Sequence, residues 1–268
     1  MKRFLFIGAI WLLTACESSK YNSGTPSSTS HLVANGKLWS SVFQQKAAEY
    51  KALCIQAYNI ARLRLENRAK QPIGKTLAVI TDIDETVLDN SPFAVHQALQ
   101  EKDYDATAWT NWTGRGIADT LAGSASFFNF AASIKVEVFY ISNRSESEKQ
   151  GTLQNLQRFH FPFADEQHLL LRKDVSSKEA RRQQVMADHE IVLLLGDNLA
   201  DFSSLFDGKK SLADRTTTVQ ELASAFGEKF IVLPNANYGA WEDAIYGNNY
   251  GLSAQQKDSA IKASLKSY

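Results

Sequence analysis

Short apolar runs recur along the chain after residue 75, and each run gives way to polar residues. The runs are Leu77–Ile80, Val136–Ile141, His168–Leu171, Ile191–Leu195 and Phe230–Leu233. Continuous apolar runs of this length are typical of strands in a parallel sheet that is covered on both faces. The stretches between them that favour helices are Glu146–His160, Ser176–His189 and Thr217–Phe226. Strands that alternate with helices predict an α/β fold with a doubly wound, mostly parallel sheet.

Two other segments do not follow this alternation. Residues 38–68 have helical spacing and predict one long helix that packs on the sheet or on a partner subunit. The apolar positions of that helix are Leu38, Val42, Ala47, Tyr50, Cys54, Ala57, Ala61 and Leu65. Residues from about 90 to 130 form a long insertion that is rich in aromatic side chains. We interpret this insertion as a mainly helical cap over the sheet edge, with a small satellite core as the alternative.

The first apolar run leads directly into Asp82-Ile83-Asp84. Ligands of open α/β sheets bind at the carboxyl ends of the strands. Because side chains alternate along an extended segment, Asp82 and Asp84 are expected to point the same way. Two convergent carboxylates repel each other unless a cation lies between them, and Mg²⁺ prefers oxygen ligands. The alternative is that one Asp caps the next helix and the other is solvated.

Polar residues at the ends of the later runs extend this picture. Ser142 and the backbone amides after it, beginning at Asn143, are candidates to hold phosphate oxygens, although Ser142 could instead cap a helix. Lys178, near a helix start capped by Ser176 or Ser177, is the candidate cation, with Lys173 competing and a surface lysine as the alternative. Asp197 would complete the metal shell with Asp201 beside or behind it, although Gly196-Asp197 could be a plain turn.

These residues together fit one chemistry, the hydrolysis of a phosphate ester. Asp82 is the expected nucleophile, which attacks phosphorus and forms an aspartyl-phosphate. Asp84 is the expected acid and base, which protonates the leaving alcohol and then activates water. Lys178 and a metal held by Asp82, Asp84 and Asp197 would offset the charge of the phosphoryl oxygens.

The N-terminus predicts export. Lys2-Arg3 precedes the apolar stretch Phe4–Leu13, which is too short to anchor the chain permanently in a bilayer. Leu13-Thr14-Ala15-Cys16 has the form of a bacterial lipobox, with an ordinary signal peptide as the alternative. We therefore expect residues 1–15 to be a lipoprotein signal peptide and residues 16–36 a flexible tether, acylated at Cys16 with chains such as palmitate. Residues 37–268 are expected to form one domain.

Composition excludes several classes of function. The 29 basic and 29 acidic residues balance, and the chain has no basic stripe, so nucleic-acid binding has no support. With Cys16 acylated, Cys54 would have no partner for a disulfide, and it is expected to be a small core residue.

Two acidic motifs carry a resemblance to a known family. They are Asp82-Ile-Asp-Glu-Thr-Val-Leu-Asp-Asn-Ser-Pro-Phe93 and Gly196-Asp-Asn-Leu-Ala-Asp-Phe202. The chain resembles the bacterial class C acid phosphatases with four aspartates, in particular the outer-membrane lipoprotein e phosphatases of the haloacid dehalogenase superfamily. The resemblance runs from Trp39 to the end of the chain. It implies a haloacid dehalogenase-like core, one Mg²⁺ per subunit, a homodimer, and a cell-envelope location at the outer membrane.

The resemblance also implies roles for individual residues. Asp82 is the nucleophile and a metal ligand, Asp84 binds the metal through its carbonyl, and Asp197 is the third ligand, supported by Asp201. Ser142, Asn143 and Lys178 hold phosphate. The lipoprotein e members act on nucleoside 5′-monophosphates, including nicotinamide mononucleotide, and Trp109 and Tyr238 match the aromatics that enclose the base in that group. His96 stands where those relatives carry an aromatic, and Ser142 replaces the commoner Thr.

Two other functions are compatible with part of the sequence. One is a binding or adhesion lipoprotein, for example a haem-binding one, that presents a surface on the same fold. The other is an intracellular sugar phosphatase. The acids Asp82, Asp84 and Asp197 argue against the first, and the lipobox at Cys16 argues against the second.

Overall fold

The computed structural model describes residues 32–71 and 74–268. The strands are β1 (Thr76–Thr81), β2 (Leu88–Asp89), β3 (Asp119–Thr120), β4 (Glu137–Ser145), β5 (Leu169–Arg172), β6 (His189–Gly196) and β7 (Phe230–Val232). The helices are α1 (Leu32–Lys46), α2 (Ala48–Ala69), α3 (Ser91–Ala98), α4 (Ala106–Thr113), α5 (Ser124–Ser133), α6 (Lys149–Arg158), α7 (Glu179–Asp188), α8 (Leu212–Glu221), α9 (Ala240–Ile245) and α10 (Ala254–Ser264). The predicted signal peptide, Cys16 and most of the predicted tether lie outside the described residues.

A parallel sheet forms the centre of the molecule, with strand order β5-β4-β1-β6-β7. The chain places β4 and β5 on one side of β1 and then β6 and β7 on the other. The first strand is therefore central, and its carboxyl end lies where the strand order reverses. Ligands of open α/β sheets bind at this point.

Each face of the sheet is covered by its own hydrophobic cluster, as a doubly wound fold requires. Leu77 and Val79 of β1 pack in the cluster that includes α2, α5 and α6. Ala78 and Ile80 pack on the opposite face, with α7 and the segment that follows α8. Successive β1 side chains point to opposite faces, so the apolar run is buried on both sides. The predicted fold class is confirmed.

Fewer residues of the insertion belong to the cap than the sequence predicts, and segments from elsewhere in the chain also contribute to it. Pairing of Leu88 with Thr120 joins β2 to β3 and closes the insertion near residue 120. The predicted range of 90–130 is therefore too long, because α5 packs on α2 and against the sheet. Helix α1 contacts α3 and α10, so both ends of the domain contribute to the cap.

The N-terminal boundaries also differ from the prediction. The long helix expected over 38–68 is two helices, because Ala47 is extended with φ −75° and ψ 129°. Helix α1 then packs on the cap while α2 packs on the sheet, and Trp39 and Val42 of α1 are exposed. Since α1 begins at Leu32, residues 32–36 are helical rather than part of a tether.

The helix predicted at 217–226 begins and ends earlier than expected. Helix α8 starts after Ser211, whose hydroxyl accepts from the Asp214 amide at 3.1 Å while the Asp214 carboxylate accepts from the Ser211 amide at 3.2 Å. This capping box sets the start of the helix. Helix α7, by contrast, begins later than predicted, at Glu179 rather than Ser176.

Candidate active site

Asp82 lies directly beyond the central strand, and its carboxylate is buried. The backbone amide of Asp82 donates to the Leu195 carbonyl of β6 at 2.9 Å, which fixes the chain at the sheet edge. Burial raises the pKa of Asp82 to about 7; Lys178 opposes this rise, and Asp201 and Asp84 add to it. A cation beside this carboxylate would therefore favour its ionised, nucleophilic form.

Lys178 is the cation that the fold brings to this carboxylate. Its buried ammonium donates to Asp82 and contacts Asp201 at 2.7 Å. Burial lowers the pKa of Lys178, but the two carboxylates outweigh burial and the net shift is upward. The competing candidate Lys173 is exposed and lies outside the lining of the described cavity. The N-cap of α7 is Lys178 itself rather than Ser176 or Ser177, and the Ser177 hydroxyl accepts from the Glu179 amide at 3.3 Å.

Asp197 and Asp201 come from the turn that follows β6. One oxygen of each, together with one of Asp82, lies within 4.8 Å of the others. Burial raises the pKa of Asp197 well above its usual range, and Asp201 and Asp82 raise it further. Gly196 permits this turn, because a Cβ there would lie 2.5 Å from Asp201 Cβ. Three crowded carboxylates with hard oxygen donors fit a divalent cation such as Mg²⁺.

The Asp197 carboxylate is also held by neutral donors. Asn235 Nδ2 donates to Asp197 Oδ2 at 2.8 Å, and Thr86 Oγ1 donates to Asp197 Oδ1 at 3.4 Å. Asp201 Oδ2 accepts from the Asn198 amide at 2.9 Å. Asp201 is therefore paired with a charged group, Lys178, and with its own turn, whereas the hydrogen-bond donors to Asp197 are both neutral.

Asp84 lines the same cavity as Asp82, but its carboxylate is not part of the cluster of Asp82, Asp197 and Asp201. Its Oδ1 accepts from Arg144 Nη2 at 2.7 Å and from Asn90 Nδ2 at 2.8 Å. Strand β1 ends at Thr81, and Glu85 has a left-handed φ of 54°. The expectation that Asp82 and Asp84 point the same way stays a prediction. The carbonyl role of Asp84 stays a prediction.

The predicted phosphate-binding residues differ in their exposure. Ser142 is fully buried, and its hydroxyl accepts from the Arg144 amide at 3.1 Å. Asn143 lines the cavity beside the acids, and its Oδ1 accepts from Arg181 Nη2 at 2.7 Å. Lys178 also lines this cavity.

A cavity of about 800 Å³ opens in front of these residues. Trp109 and Tyr238 line it, as does Phe93, whose ring meets Trp109 edge-on with centroids 5.1 Å apart. His96 is exposed and lies outside the described cavity lining. Phe93, rather than His96, therefore packs beside Trp109 in the cavity wall. The cavity extends past Asp103 and Lys257 at the cap.

The comparisons with known proteins agree with this geometry. The family model of the haloacid dehalogenase superfamily, subfamily IIIB (acid phosphatase), matches residues 7–241. The chain belongs to this family. The structure of the class C acid phosphatase from Bacillus anthracis is similar with a TM-score of 0.85 and 38% sequence identity, over 89% of this chain and 100% of that chain. A structure described as that enzyme with tungstate bound gives the same values.

Two curated plant proteins are more distant relatives of this acid phosphatase family member. Acid phosphatase 1 of Solanum lycopersicum is 27% identical over 46% of this chain and 50% of its own length. The stem 31 kDa glycoprotein of Glycine max is 25% identical over 46% of this chain and 50% of its own length. The chain thus spans about half the length of the curated relatives that it matches. The family model and the structural similarity place the chain among the acid phosphatases on a haloacid dehalogenase-like fold.

Several residues of this acid phosphatase site were missed by the sequence reasoning. They are Glu85, Asn90, Arg144 and Asn235. Two of them, Glu85 and Asn90, stand inside the first quoted motif, where a polar residue without an assigned role is a usable signal. Asn235 follows the last apolar run, as the other site residues follow theirs. Burial raises the pKa of Glu85 to about 8, Asp84 adds to the rise, and hydrogen bonds from Tyr238 and Asn90 oppose it.

Proposed function

We propose that this protein hydrolyses phosphate monoesters by way of an aspartyl-phosphate on Asp82, with Mg²⁺ as its cofactor. One observation carries the proposal. A buried carboxylate at the carboxyl end of the central strand contacts Lys178, lies beside Asp197, and is among the residues that line the cavity. A nucleophile, a cation and an acidic cluster in one place are the parts that phosphoryl transfer requires.

The residues support a two-step reaction. An Asp82 oxygen forms a bond to phosphorus while the bond from phosphorus to the leaving alcohol oxygen breaks, and Asp84 gives that oxygen its proton. Water then attacks the phosphorus of the aspartyl-phosphate, Asp84 takes its proton, and inorganic phosphate and free Asp82 result. Arg144 and Asn90 hold the Asp84 side chain in place. Bound Mg²⁺ would offset negative charge, and Asp82, Asp84 and Asp197 are the residues to hold it.

Phosphate oxygens would be held by Lys178 and at the end of β4. The Lys178 ammonium already lies against Asp82, where an incoming phosphoryl group would meet it. The Ser142 hydroxyl accepts from the Arg144 amide and keeps its own proton to donate. Asn143 lines the cavity and presents its backbone amide at the same strand end.

We further propose nucleoside 5′-monophosphates, including nicotinamide mononucleotide, as substrates. The cavity has room for a nucleoside, and Trp109 and Tyr238 offer aromatic surface on its walls. Base stacking on aromatic rings tolerates any base, which suits a broad 5′-nucleotidase. The tungstate-bound structure of the Bacillus anthracis enzyme supports a site that takes tetrahedral oxyanions.

A panel of esters tests the activity and its metal requirement. Purified protein should release phosphate from AMP, nicotinamide mononucleotide and para-nitrophenyl phosphate with Mg²⁺, and should lose activity in EDTA until Mg²⁺ is restored. Protein that is folded but releases no phosphate from any of these esters would contradict the proposal.

Trp109→Ala tests the nucleotide preference. Loss of one stacking ring should cost about 1–3 kcal/mol in nucleotide binding, which should raise KM for AMP more than KM for para-nitrophenyl phosphate. Trp39→Ala is the matched control, because Trp39 is 77% exposed on α1. Equal losses for both esters, together with a lower Tm, would reject the stacking role and make Trp109 a packing residue of the cap.

The location is also a proposal. We propose that the protein is tethered to the bacterial cell envelope by acyl chains on Cys16, at the outer membrane. The lipobox Leu13–Cys16 supports this. Within residues 32–71 and 74–268, no helix is long and apolar enough to cross a membrane.

A further inference from the structure

Asn90 uses every one of its polar groups in the wall of the cavity. Its Nδ2 donates to Asp84 Oδ1, its Oδ1 accepts from Trp112 Nε1, and its backbone amide donates to Glu85 Oε1, each at 2.8 Å. Its carbonyl accepts from the Phe93 amide at 2.9 Å. The residue is 2% exposed. Asn90 therefore contacts the segment that carries Asp84 and, through Trp112, helix α4 of the cap.

Glu85 extends these contacts to Tyr238, which lines another part of the cavity wall. Its second carboxylate oxygen, Oε2, accepts from the Tyr238 hydroxyl. Glu85 is 1% exposed and has a φ of 54°. A left-handed backbone is costly for a side chain of this size and persists where the surroundings fix it. The hydrogen bonds to Asn90 and Tyr238 supply that fixing.

Trp112 connects Asn90 and Glu85 to the part of the cavity wall that Trp109 and Phe93 form. It lies three residues after Trp109 on α4, so both indoles project from neighbouring positions of one helix. Trp109 in turn packs on Phe93, and the Arg144 guanidinium carbon lies 5.9 Å from its ring centroid. Arg144 is also the main partner of Asp84. The two walls and the acid/base therefore share one set of buried contacts.

We infer that Asn90 is a positioning residue that, through Glu85 and Trp112, fixes the Asp84 carboxylate relative to both aromatic walls of the substrate cavity. The inference rests on the proposed phosphatase function and names how that site aligns a nucleotide with its acid/base. A substrate base held between Trp109 and Tyr238 is thereby held at a defined distance from Asp84. Misplacement of a reacting group by a small distance costs rate, because catalysis depends on orientation.

Conservative changes at the periphery test the inference without removing the centre. Tyr238→Phe keeps the ring but removes the hydroxyl that donates to Glu85. Trp112→Phe keeps an aromatic ring of smaller size but removes the Nε1–H group that donates to Asn90. Each should raise KM for AMP by roughly 2- to 10-fold, the range of one hydrogen bond. KM for para-nitrophenyl phosphate should stay within about twofold, because a small ester depends less on the walls.

Asn90→Ala should reduce the turnover of both esters. Asp84 then loses its Nδ2 partner, so kcat should fall for AMP and for para-nitrophenyl phosphate, and KM for AMP should rise as well. Asn155→Ala is the matched control. Asn155 is also 2% exposed and makes two buried hydrogen bonds, to the backbone of Ala118, away from the acids. It should lower Tm but change neither KM nor the ratio between the two esters.

A double-mutant cycle separates positioning from general stability. In the Asn90→Ala background, Trp112 Nε1 already lacks its partner, so adding Trp112→Phe should leave KM for AMP unchanged. If the KM effects of the two substitutions multiply instead, the inference is overturned. Peripheral variants with the KM values of wild type would also overturn it, as would variants that lose kcat/KM equally for both esters in step with a fall in Tm. Wild-type protein without phosphatase activity would instead contradict the proposed function. Active wild-type protein with unaffected variants would contradict only the role of Asn90.

Discussion

The Asp82 carboxylate lies between one ammonium and two other carboxylates. Lys178 contacts it directly, and Asp197 and Asp201 lie within 4.8 Å. One buried cation does not balance three clustered acids, of which two are buried, and desolvation raises the pKa of both Asp82 and Asp197. At the scale of single residues, this imbalance is the strongest physical reason to assign a divalent metal to the site.

Asp197→Ala tests that assignment. The variant loses a hard oxygen ligand, so the Mg²⁺ concentration for half-maximal activity should rise by about tenfold or more. A Mg²⁺ titration of phosphate release measures it. Asp188→Ala, which removes an exposed carboxylate at the end of α7, should titrate like wild type. An unchanged titration curve for Asp197→Ala would show that Asp197 is not a ligand.

The positions of residues at strand ends could be predicted from sequence, but the partners of their side chains could not. Asp82, Asn143 and Asp197 lie at or near the ends of strands that the apolar runs predicted. Asp84 follows β1 as expected, but its carboxylate is held by Arg144 and Asn90 and is not in the cluster of Asp82, Asp197 and Asp201. Its partner Arg144 comes from a neighbouring strand, 60 residues later in the chain. Such a pairing has no local signal.

At the scale of elements, the cap is held by charges from three distant segments. Lys37 Nζ of α1 lies 2.7 Å from Asp103 Oδ1 in the loop between α3 and α4, and Lys257 of α10 contacts the other Asp103 oxygen. Burial raises the pKa of Asp103, but the two lysines outweigh burial and hold that pKa well below its usual range. Among these segments the sequence periodicity predicted only part of α1, and it predicted neither α10 nor the contacts between the elements.

Asp103→Asn should weaken the cap in a pH-dependent way. A carboxyl whose pKa falls on folding adds stability above its unfolded pKa of about 4, and this stability is lost as the pH falls further. Asp103 is partly exposed, so solvent screening limits the contribution to about 1 kcal/mol at pH 7. Melting curves should show a lower Tm than wild type at pH 7 and a smaller difference at pH 3. Glu66→Gln, which breaks the exposed pair with Arg62, is the control and should change Tm little. A constant difference at both pH values would contradict the ionic explanation.

At the scale of the whole molecule, the sheet brings residues from four strands to one edge. Asp82 follows β1, Asn143 lies near the end of β4, Arg172 ends β5, and Asp197 follows β6. The parallel direction of these strands was predictable from five apolar runs. It implied that the polar residues after the strands would meet at one edge of the sheet. The combination of segments in the cavity walls was not predictable, since the walls join the insertion to α1 and to the segment from Asn237 to α10. Contacts between the two ends of a chain leave no periodic signal.

Cys16→Ser tests how the whole protein is placed in the cell. The variant should leave the membrane fraction, because acyl chains are attached to the cysteine thiol, and its kcat/KM after purification should match wild type. Cys54→Ala removes the other of the 2 cysteines and should remain in the membrane fraction. Fractionation and acyl labelling measure both. A Cys16→Ser protein that stays in the membrane with its leader uncut would mean that residues 4–13 anchor the chain.

The central claim is that Asp82 attacks phosphorus, and the rate of phosphate release from AMP by Asp82→Asn tests it most directly. Asparagine keeps the size of the side chain, but its amide cannot form the acyl-phosphate. In saturating Mg²⁺, with Tm confirming the fold, we predict a loss of about 10³-fold or more relative to wild type. Phosphate release by Asp82→Asn at a rate close to wild type would contradict the account.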